Sequence, residues 1–225
     1  MKRLKVSNNV IRRLPRYLRK LDDLAANGVT RISSFELGQQ LGLTPSQIRQ
    51  DFSCFGEFGQ QGYGYNVAAL RAHIASILGS DRGFSAILVG VGNLGRALIE
   101  NFSFTDCGFT LDAAFDINPE LIGRSIGGVT IYSGERDSIE QYIKENHVDV
   151  AVLTVPKSVA VSVAEGLETL GVEAIWNFTN VELAAPDTNT IIENMHFSDS
   201  LLTLSYYVAE RRDEQAAKNG KADKE

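Results

Sequence analysis

Cysteine is scarce: Cys54 and Cys107 are the only two in 225 residues. They lie in different segments and match no ligand spacing, so they read as free thiols in a reducing cytoplasm. Long apolar runs are absent too. No stretch of about 18 apolar residues occurs, so no membrane span is expected. The N-terminus is basic, but no apolar stretch follows it, so no signal peptide is expected and the chain is placed in the cytoplasm. Histidine occurs three times, at His73, His147 and His196. They form no metal cluster and no Ser/His/Asp spacing, so neither a metal ligand set nor a catalytic set is assigned.

What is present is a division of charge. The formal net charge of −6 by itself argues against nucleic acid. Residues 1–80, however, carry a net +6 and residues 81–225 a net −12. The first twenty residues hold eight basic groups and no acid. A basic module joined to an acidic one points to an anionic polymer at one end. Apolar residues make up 44%, enough for a core, and the length suits two small domains.

Residues 1–80 read as a winged helix-turn-helix domain. Leu14, Leu18, Leu21 and Ala25 share one helix face, with Pro15 at its first turn and Asn27-Gly28 at its end. Ser33-Ser34-Phe35-Glu36 and Thr44-Pro45-Ser46-Gln47 are two capping boxes, joined through Gly42. Two short capped helices of this kind form a helix-turn-helix. Its second helix presents Ser46, Gln47, Arg49 and Gln50, side chains that reach base edges and phosphates in a major groove. Arg12, Arg13 and Arg16 on the basic first helix are further candidate DNA contacts. Alternating aromatics and glycines from Phe55 to Tyr65 suggest a two-strand wing, with Gln60, Gln61 and Tyr63 as candidate contacts. Asn66 caps a last helix, and Gly79 to Gly83 mark the boundary.

The stretch Gly90-Val91-Gly92-Asn93-Leu94-Gly95 follows the apolar run Phe84 to Val89 and opens a helix. Asp116 ends the next apolar run, 21 residues after Gly95. Strand, glycine turn, helix and strand-end carboxylate hold a dinucleotide: the glycines allow a tight turn, close approach of the pyrophosphate and close helix packing. The pyrophosphate sits at the positive end of the helix. Asp116 can accept both hydroxyls of the adenine ribose and repels a 2′-phosphate, which favours NAD over NADP. Further alternating strands and helices give a Rossmann-like, doubly wound parallel sheet over residues 81–198. Thr154-Val155-Pro156 and Asn177-Phe178 then fall at the same crevice. Leu201, Leu202, Leu204, Tyr206 and Val208 make an apolar terminal helix, 199–216, that needs a second copy of the chain to cover it. A charged, disordered tail, 217–225, ends the chain.

Hydride transfer to a substrate needs a positioned acid or base, and only His196 could reach the crevice. The domain of about 145 residues is near the minimum for the cofactor alone, so an enzyme is not expected. The two modules together suggest a dimer that binds DNA and reads NADH against NAD+. Phe102, Phe178 and Phe197, lining the nicotinamide site, would make it apolar and favour the neutral reduced ring over the cation.

The motifs Tyr17-Leu18-Arg19, Ser33-Ser34 with Leu37-Gly38, Thr44-Pro45 with Gln47-Ile48-Arg49, Phe55-Gly56-Glu57-Phe58-Gly59, Gly90 to Gly95 and Thr154-Val155-Pro156 resemble the Rex family of redox-sensing transcriptional repressors. The resemblance implies a homodimer that binds a palindromic operator and leaves it when NADH rises. It also implies a C-terminal helix exchanged between protomers, with Phe197 reaching the partner's nicotinamide site. The sequence departs from the pattern in three places. Gln60-Gln61 replace basic residues at the wing tip. The family links an Arg, matched by Arg19, to a Tyr and an Asp, and Phe102 and His196 stand at those positions. His196 would add a pH dependence. Two other readings stay open: a small NAD-dependent oxidoreductase with an N-terminal oligomerisation domain, and a DNA-binding regulator that senses CoA or another nucleotide.

Overall fold

The structure is a computed structural model that describes residues 6–56, 63–184 and 189–222, with side chains to residue 215. The candidates Gln60 and Gln61, and the tip of the expected wing, lie outside the described residues. The chain divides into two compact units, Met1–Gly83 with Asp106–Gly108, and Phe84–Thr105 with Phe109–Glu225. The break therefore falls three residues beyond the expected 80. A 3-10 turn at Thr105–Cys107 returns a short segment to the first unit.

In the first unit, α1 (Asn8–Ala26) buries Val10, Leu14, Tyr17, Leu21 and Leu24 along one face. It begins ahead of the first turn expected around Pro15. The Ser7 carbonyl accepts the N–H groups of Val10 and Ile11, and Val10 is buried, so tertiary packing recruits the extra turns. Pro15 is thus inside the helix and not in its first turn. Its missing N–H frees the Ile11 carbonyl, and both residues are exposed, so water can take that bond. Helix α2 (Ser34–Leu41) starts with the complete Ser33/Glu36 capping box. Two hydrogen bonds from Ser33, the backbone one first, hold the Glu36 carboxyl below its usual range. Helix α3 (Pro45–Ser53) has Thr44 as N-cap, its hydroxyl accepting from the Gln47 N–H. Asn66 caps α4 (Val67–Leu78) through the Ala69 N–H. Leu14, Tyr17, Leu37, Ile48, Phe52, Leu70 and Ile74 share one core. Of the expected hairpin within Phe55–Tyr65, residues 57–62 lie outside the described residues. The two-residue strands β1 (Arg31–Ile32) and β2 (Tyr65–Asn66) run antiparallel. Tyr65 is buried against Phe52, which draws this strand to the helix core.

The second unit is a sheet built from β3 (Phe84–Val89), β4 (Phe109–Asp116), β5 (Ser125–Ile126), β6 (Val129–Ser133), β7 (Val150–Leu153), β8 (Ala174–Asn177) and β9 (Ile191–Asn194). Their spatial order is β5-β6-β4-β3-β7-β8-β9, and all pairings except β5–β6 are parallel. Numbered along the chain, the parallel strands stand in the order 3-2-1-4-5-6, the arrangement of a Rossmann sheet. The sequence pattern missed β5. A two-residue Gly127-Gly128 turn with φ 55° and 85° reverses the chain into β6, and only glycine takes both angles readily. Helices α5 (Asn93–Asn101), α6 (Arg136–Glu145) and α7 (Ala160–Thr169) cover the sheet. Val89, Phe115, Ile139, Ala151, Leu153, Leu167 and Ile175 form one core; Leu88, Ala114, Ile131 and Val152 belong to another.

The last helix, α8 (Phe197–Ala222), starts earlier and ends later than expected. Its backbone is helical where a disordered tail from 217 is expected, because Glu214, Gln215, Ala216, Ala217 and Lys218 are strong helix formers. Its side chains are exposed from Phe197 through Gln215, including Leu201, Leu202, Leu204, Tyr206, Tyr207 and Val208.

Candidate nucleotide and nucleic-acid sites

Strands β3 and β7 are neighbours, yet the chain leaves them in opposite directions across the sheet. Ligands bind at such a switch point, beyond the carboxyl ends of the strands. The Gly90–Gly95 elbow stands there. Gly90 N–H donates to the Phe115 carbonyl at 2.8 Å, extending the sheet ladder by one residue. Gly90 has φ 101°, and a Cβ there would lie 2.9 Å from the Thr154 backbone. A Cβ on Gly95 would overlap the Gly90 carbonyl and meet Thr154 Oγ1 at 2.9 Å. Gly92 differs: a Cβ would meet nothing within 4 Å. The first and third glycines are thus demanded by packing inside the protein. The second faces open space at the N-terminus of α5, where Gly92 supplies no side-chain cap. The first-turn N–H groups of α5 are left for an anion.

The remaining candidates divide by what their side chains do. The Asp116 carboxylate accepts the Val91 N–H at 2.6 Å and the Asn118 N–H at 2.7 Å, so it anchors the elbow and the turn after β4. Each oxygen keeps a further lone pair for a ligand hydroxyl. Val91 is buried and its N–H is spent on Asp116. Leu94 packs on the core, while Asn93 is exposed. Thr154 Oγ1 donates to the Gly90 carbonyl at 2.6 Å. That makes Thr154 a clamp on the elbow. Val155 is half-buried against the core and Pro156 is exposed. Asn177, expected to face the crevice, is 1% exposed. Its amide nitrogen donates to the Val181 carbonyl and Asn194 Oδ1, and its oxygen accepts from the Thr179 N–H and hydroxyl. Those bonds consume it, so Asn177 holds the loop after β8 and is corrected from ligand contact to scaffold.

An aromatic chain runs beside the elbow's sheet. Phe104 meets Phe102 at 4.9 Å, Phe102 meets Trp176 at 5.4 Å, Trp176 meets Phe178 at 4.5 Å and Phe178 meets Phe197 at 6.0 Å between centroids. Phe178 is buried, whereas Phe197 is 55% exposed. The three phenylalanines read from the sequence are brought together here. Trp176, which joins them, was legible only as a strand residue.

In the first unit, a buried carboxylate organises the helix-turn-helix. Asp51 is 0% exposed. Its Oδ2 accepts from Arg13 Nε and the Tyr17 hydroxyl, both at 2.7 Å. Its Oδ1 accepts from Arg13 Nη2 at 2.8 Å and Gln47 Nε2 at 2.9 Å. Burial pushes the Asp51 carboxyl up, but the bonds from Arg13, Tyr17 and Gln47 outweigh it and hold it below its ordinary value. Burial, then the bond to Asp51, raises the Tyr17 hydroxyl. Arg13 is therefore an internal partner of α3, not a free cation for phosphate. Gln47 is half-buried, and its amide leaves the second capping box half formed. Arg16 Nη2 donates to the Leu41 carbonyl at 2.9 Å and Arg49 Nη1 to Ser34 Oγ at 3.0 Å. Ser46, Arg49, Gln50, Arg12 and Arg16 are exposed. Tyr63 is exposed, with the Arg31 guanidinium 6.0 Å from its ring centroid. Asp51 was missed because an acid in a short capped helix carries no local signal.

Residues 5–53 match the family model described as a putative DNA-binding protein N-terminus, and residues 81–181 match the CoA binding domain model. A redox-sensing transcriptional repressor Rex from Clostridium beijerinckii is 50% identical over 205 residues, covering 91% of this chain and 96% of that protein. The chain belongs to the Rex family. Among solved structures, RSP in complex with β-NAD+ and operator DNA superposes with a TM-score of 0.85 at 46% identity, covering 96% of this chain and 98% of that one. RSP in complex with β-NADH gives 0.85 at 43% identity, covering 94% and 98%. The Rex fold assignment, a DNA-binding N-terminal domain followed by a Rossmann-like domain, agrees with both units.

Arg19, which matches the Rex pattern, and Phe102 and His196, which depart from it, have local partners or surfaces. Arg19 is exposed on α1. Phe102 is part of the aromatic chain. His196 Nε2 lies 2.7 Å from Glu182 Oε2, and Glu182 Oε1 accepts from Asn194, which bonds Asn177. Among the described residues no group of three or more His, Cys, Asp or Glu could hold a metal. No described helix is long and apolar enough to cross a membrane.

Proposed function

We propose that this Rex-family chain represses transcription as a cytoplasmic homodimer that holds a palindromic operator and releases it when NADH occupies the glycine elbow. The observation that carries the reading is the pairing, in one chain, of a helix-turn-helix with an elbow whose second glycine alone faces open space. The pyrophosphate takes the uncapped N-terminus of α5, and Asp116 takes the ribose diol. The nicotinamide rests on the aromatic chain at Phe178, with Phe197 exchanged on α8 into the partner's site. An apolar surface of this kind disfavours the oxidised cation and favours the neutral reduced ring. The apolar residues along α8 supply the dimer surface. On DNA, Ser46, Gln47, Arg49 and Gln50 enter the major groove, and Arg12, Arg16 and Tyr63 steady the module against the backbone.

By linkage, operator DNA weakens NADH binding by the same factor as NADH weakens DNA binding. Fluorescence anisotropy on an operator duplex tests this: equal DNA affinity with saturating NADH and saturating NAD+ overturns it. The match to a CoA binding domain gives a second ligand a concrete basis. CoA carries a 3′-phosphate on its adenine ribose, and the Asp116 carboxylate opposes it there by like charge. Competition between NADH and CoA, with Asp116→Ala as control, separates the two.

A further inference from the structure

We infer that Asp51 is a positioning residue for base recognition: it fixes the amide of Gln47 so that a carbonyl, not an amine, is offered from the N-terminal turn of α3. The inference rests on the DNA-binding reading above. Gln47 is the third residue of α3, in the part of a recognition helix that meets base edges. A free glutamine can turn either end of its amide outward, and its preference among bases is loose. Here one end is taken. Asp51 is ionised, buried and acceptor-only, so the group it holds at 2.9 Å must be the amide nitrogen. The carboxylate cannot swing away. Arg13 grips it with two bonds, and Tyr17 adds a third from the core of α1.

All four lone-pair directions of the carboxylate are filled, two on each oxygen. Gln47 Oε1 accepts no hydrogen bond among the described residues. It is the end left for DNA. An outward acceptor selects a base that presents an exocyclic amine in the major groove, adenine through N6 or cytosine through N4. Guanine and thymine offer carbonyls at the matching place and are refused. The acid at 51 thus acts on the base through Gln47 without touching DNA.

The test is a double-mutant cycle read as selectivity. The full-length protein is titrated against an operator duplex and against duplexes with each recognition position changed in turn. Wild type is expected to lose about tenfold or more when the amine-bearing base facing Gln47 is changed. Asp51→Asn, nearly isosteric, offers both donor and acceptor, lets the Gln47 amide turn over, and should reduce that discrimination to about twofold while other positions keep theirs. Gln47→Ala should lose discrimination at the same base pair, and the double variant should add nothing further. If Asp51→Asn does not fold, Gln47→Ala still decides: unchanged discrimination at every position overturns the inference. So does selectivity in Asp51→Asn that matches wild type throughout. Failure of the wild-type protein to bind any operator would instead remove the DNA-binding reading itself.

Discussion

Gly92→Ala and Gly95→Ala should separate folding from nucleotide binding. Gly92 has φ −71° and ψ −167°, backbone that alanine adopts without strain. A methyl there meets no atom within 4 Å. Removing a glycine at a compatible position stabilises by about 0.4–1 kcal/mol through the unfolded chain, so thermal unfolding should be unchanged or a few degrees higher. The same methyl occupies the space proposed for the pyrophosphate at the α5 N-terminus. Losing one charge-assisted hydrogen bond costs about 1.5–3 kcal/mol, so NADH should bind roughly 10–150-fold more weakly. Gly95→Ala behaves in the opposite way. Its methyl overlaps the Gly90 carbonyl and presses on Thr154, and it should cost about 1–3 kcal/mol of stability. Calorimetric titration with NADH and a thermal melt on each variant read both effects. A Gly92→Ala protein with wild-type NADH affinity would refute the placement of the pyrophosphate at this elbow.

Other expectations follow from the same geometry. Thr154→Val removes the bonds to the Gly90 and Val89 carbonyls and should cost about 1–2 kcal/mol in chemical denaturation. Asp51→Ala leaves the Arg13 guanidinium without its buried partner. Arg13 is 24% exposed at its side chain, so the loss should fall near the low end for a broken buried pair, about 3 kcal/mol, with the first unit melting earlier. The Asp51 pKa lies below its unfolded value of about 3.9, so its stabilisation is complete above that pH and is lost as pH falls through the folded value. Acid titration of stability should therefore steepen below about pH 4 in wild type and flatten in Asp51→Asn; parallel curves would contradict the network. Arg49→Ala, if Arg49 meets a phosphate, should weaken binding to all duplexes alike and reduce the slope of log K against log salt by about 1.

Much of the architecture was legible because its signals are local. Apolar spacing placed α1, α4 and the strands β3, β4, β6, β7, β8 and β9, and side-chain oxygens at Ser33, Thr44 and Asn66 marked helix starts. The elbow was legible because Gly90 and Gly95 answer to backbone contacts that any Rossmann unit imposes, while Gly92 leaves open space. Elements shaped by distant contacts were not. Tyr65 joins β2 because it packs on Phe52, and the early start of α1 follows Val10 into the core.

By itself, then, the sequence determined the periodic elements, the order of strand and helix, the glycine elbow with Asp116, and the split of charge between the two halves. Each of these depends on residues near one another along the chain. The tertiary structure alone decided which polar groups remain available to a ligand. Arg13, Thr154 and Asn177 all carry suitable side chains, yet each bonds to a residue brought close by folding. A buried polar group costs free energy unless it is paired, so packing claims such groups first. That claim is made in three dimensions, and no spacing in the sequence records it.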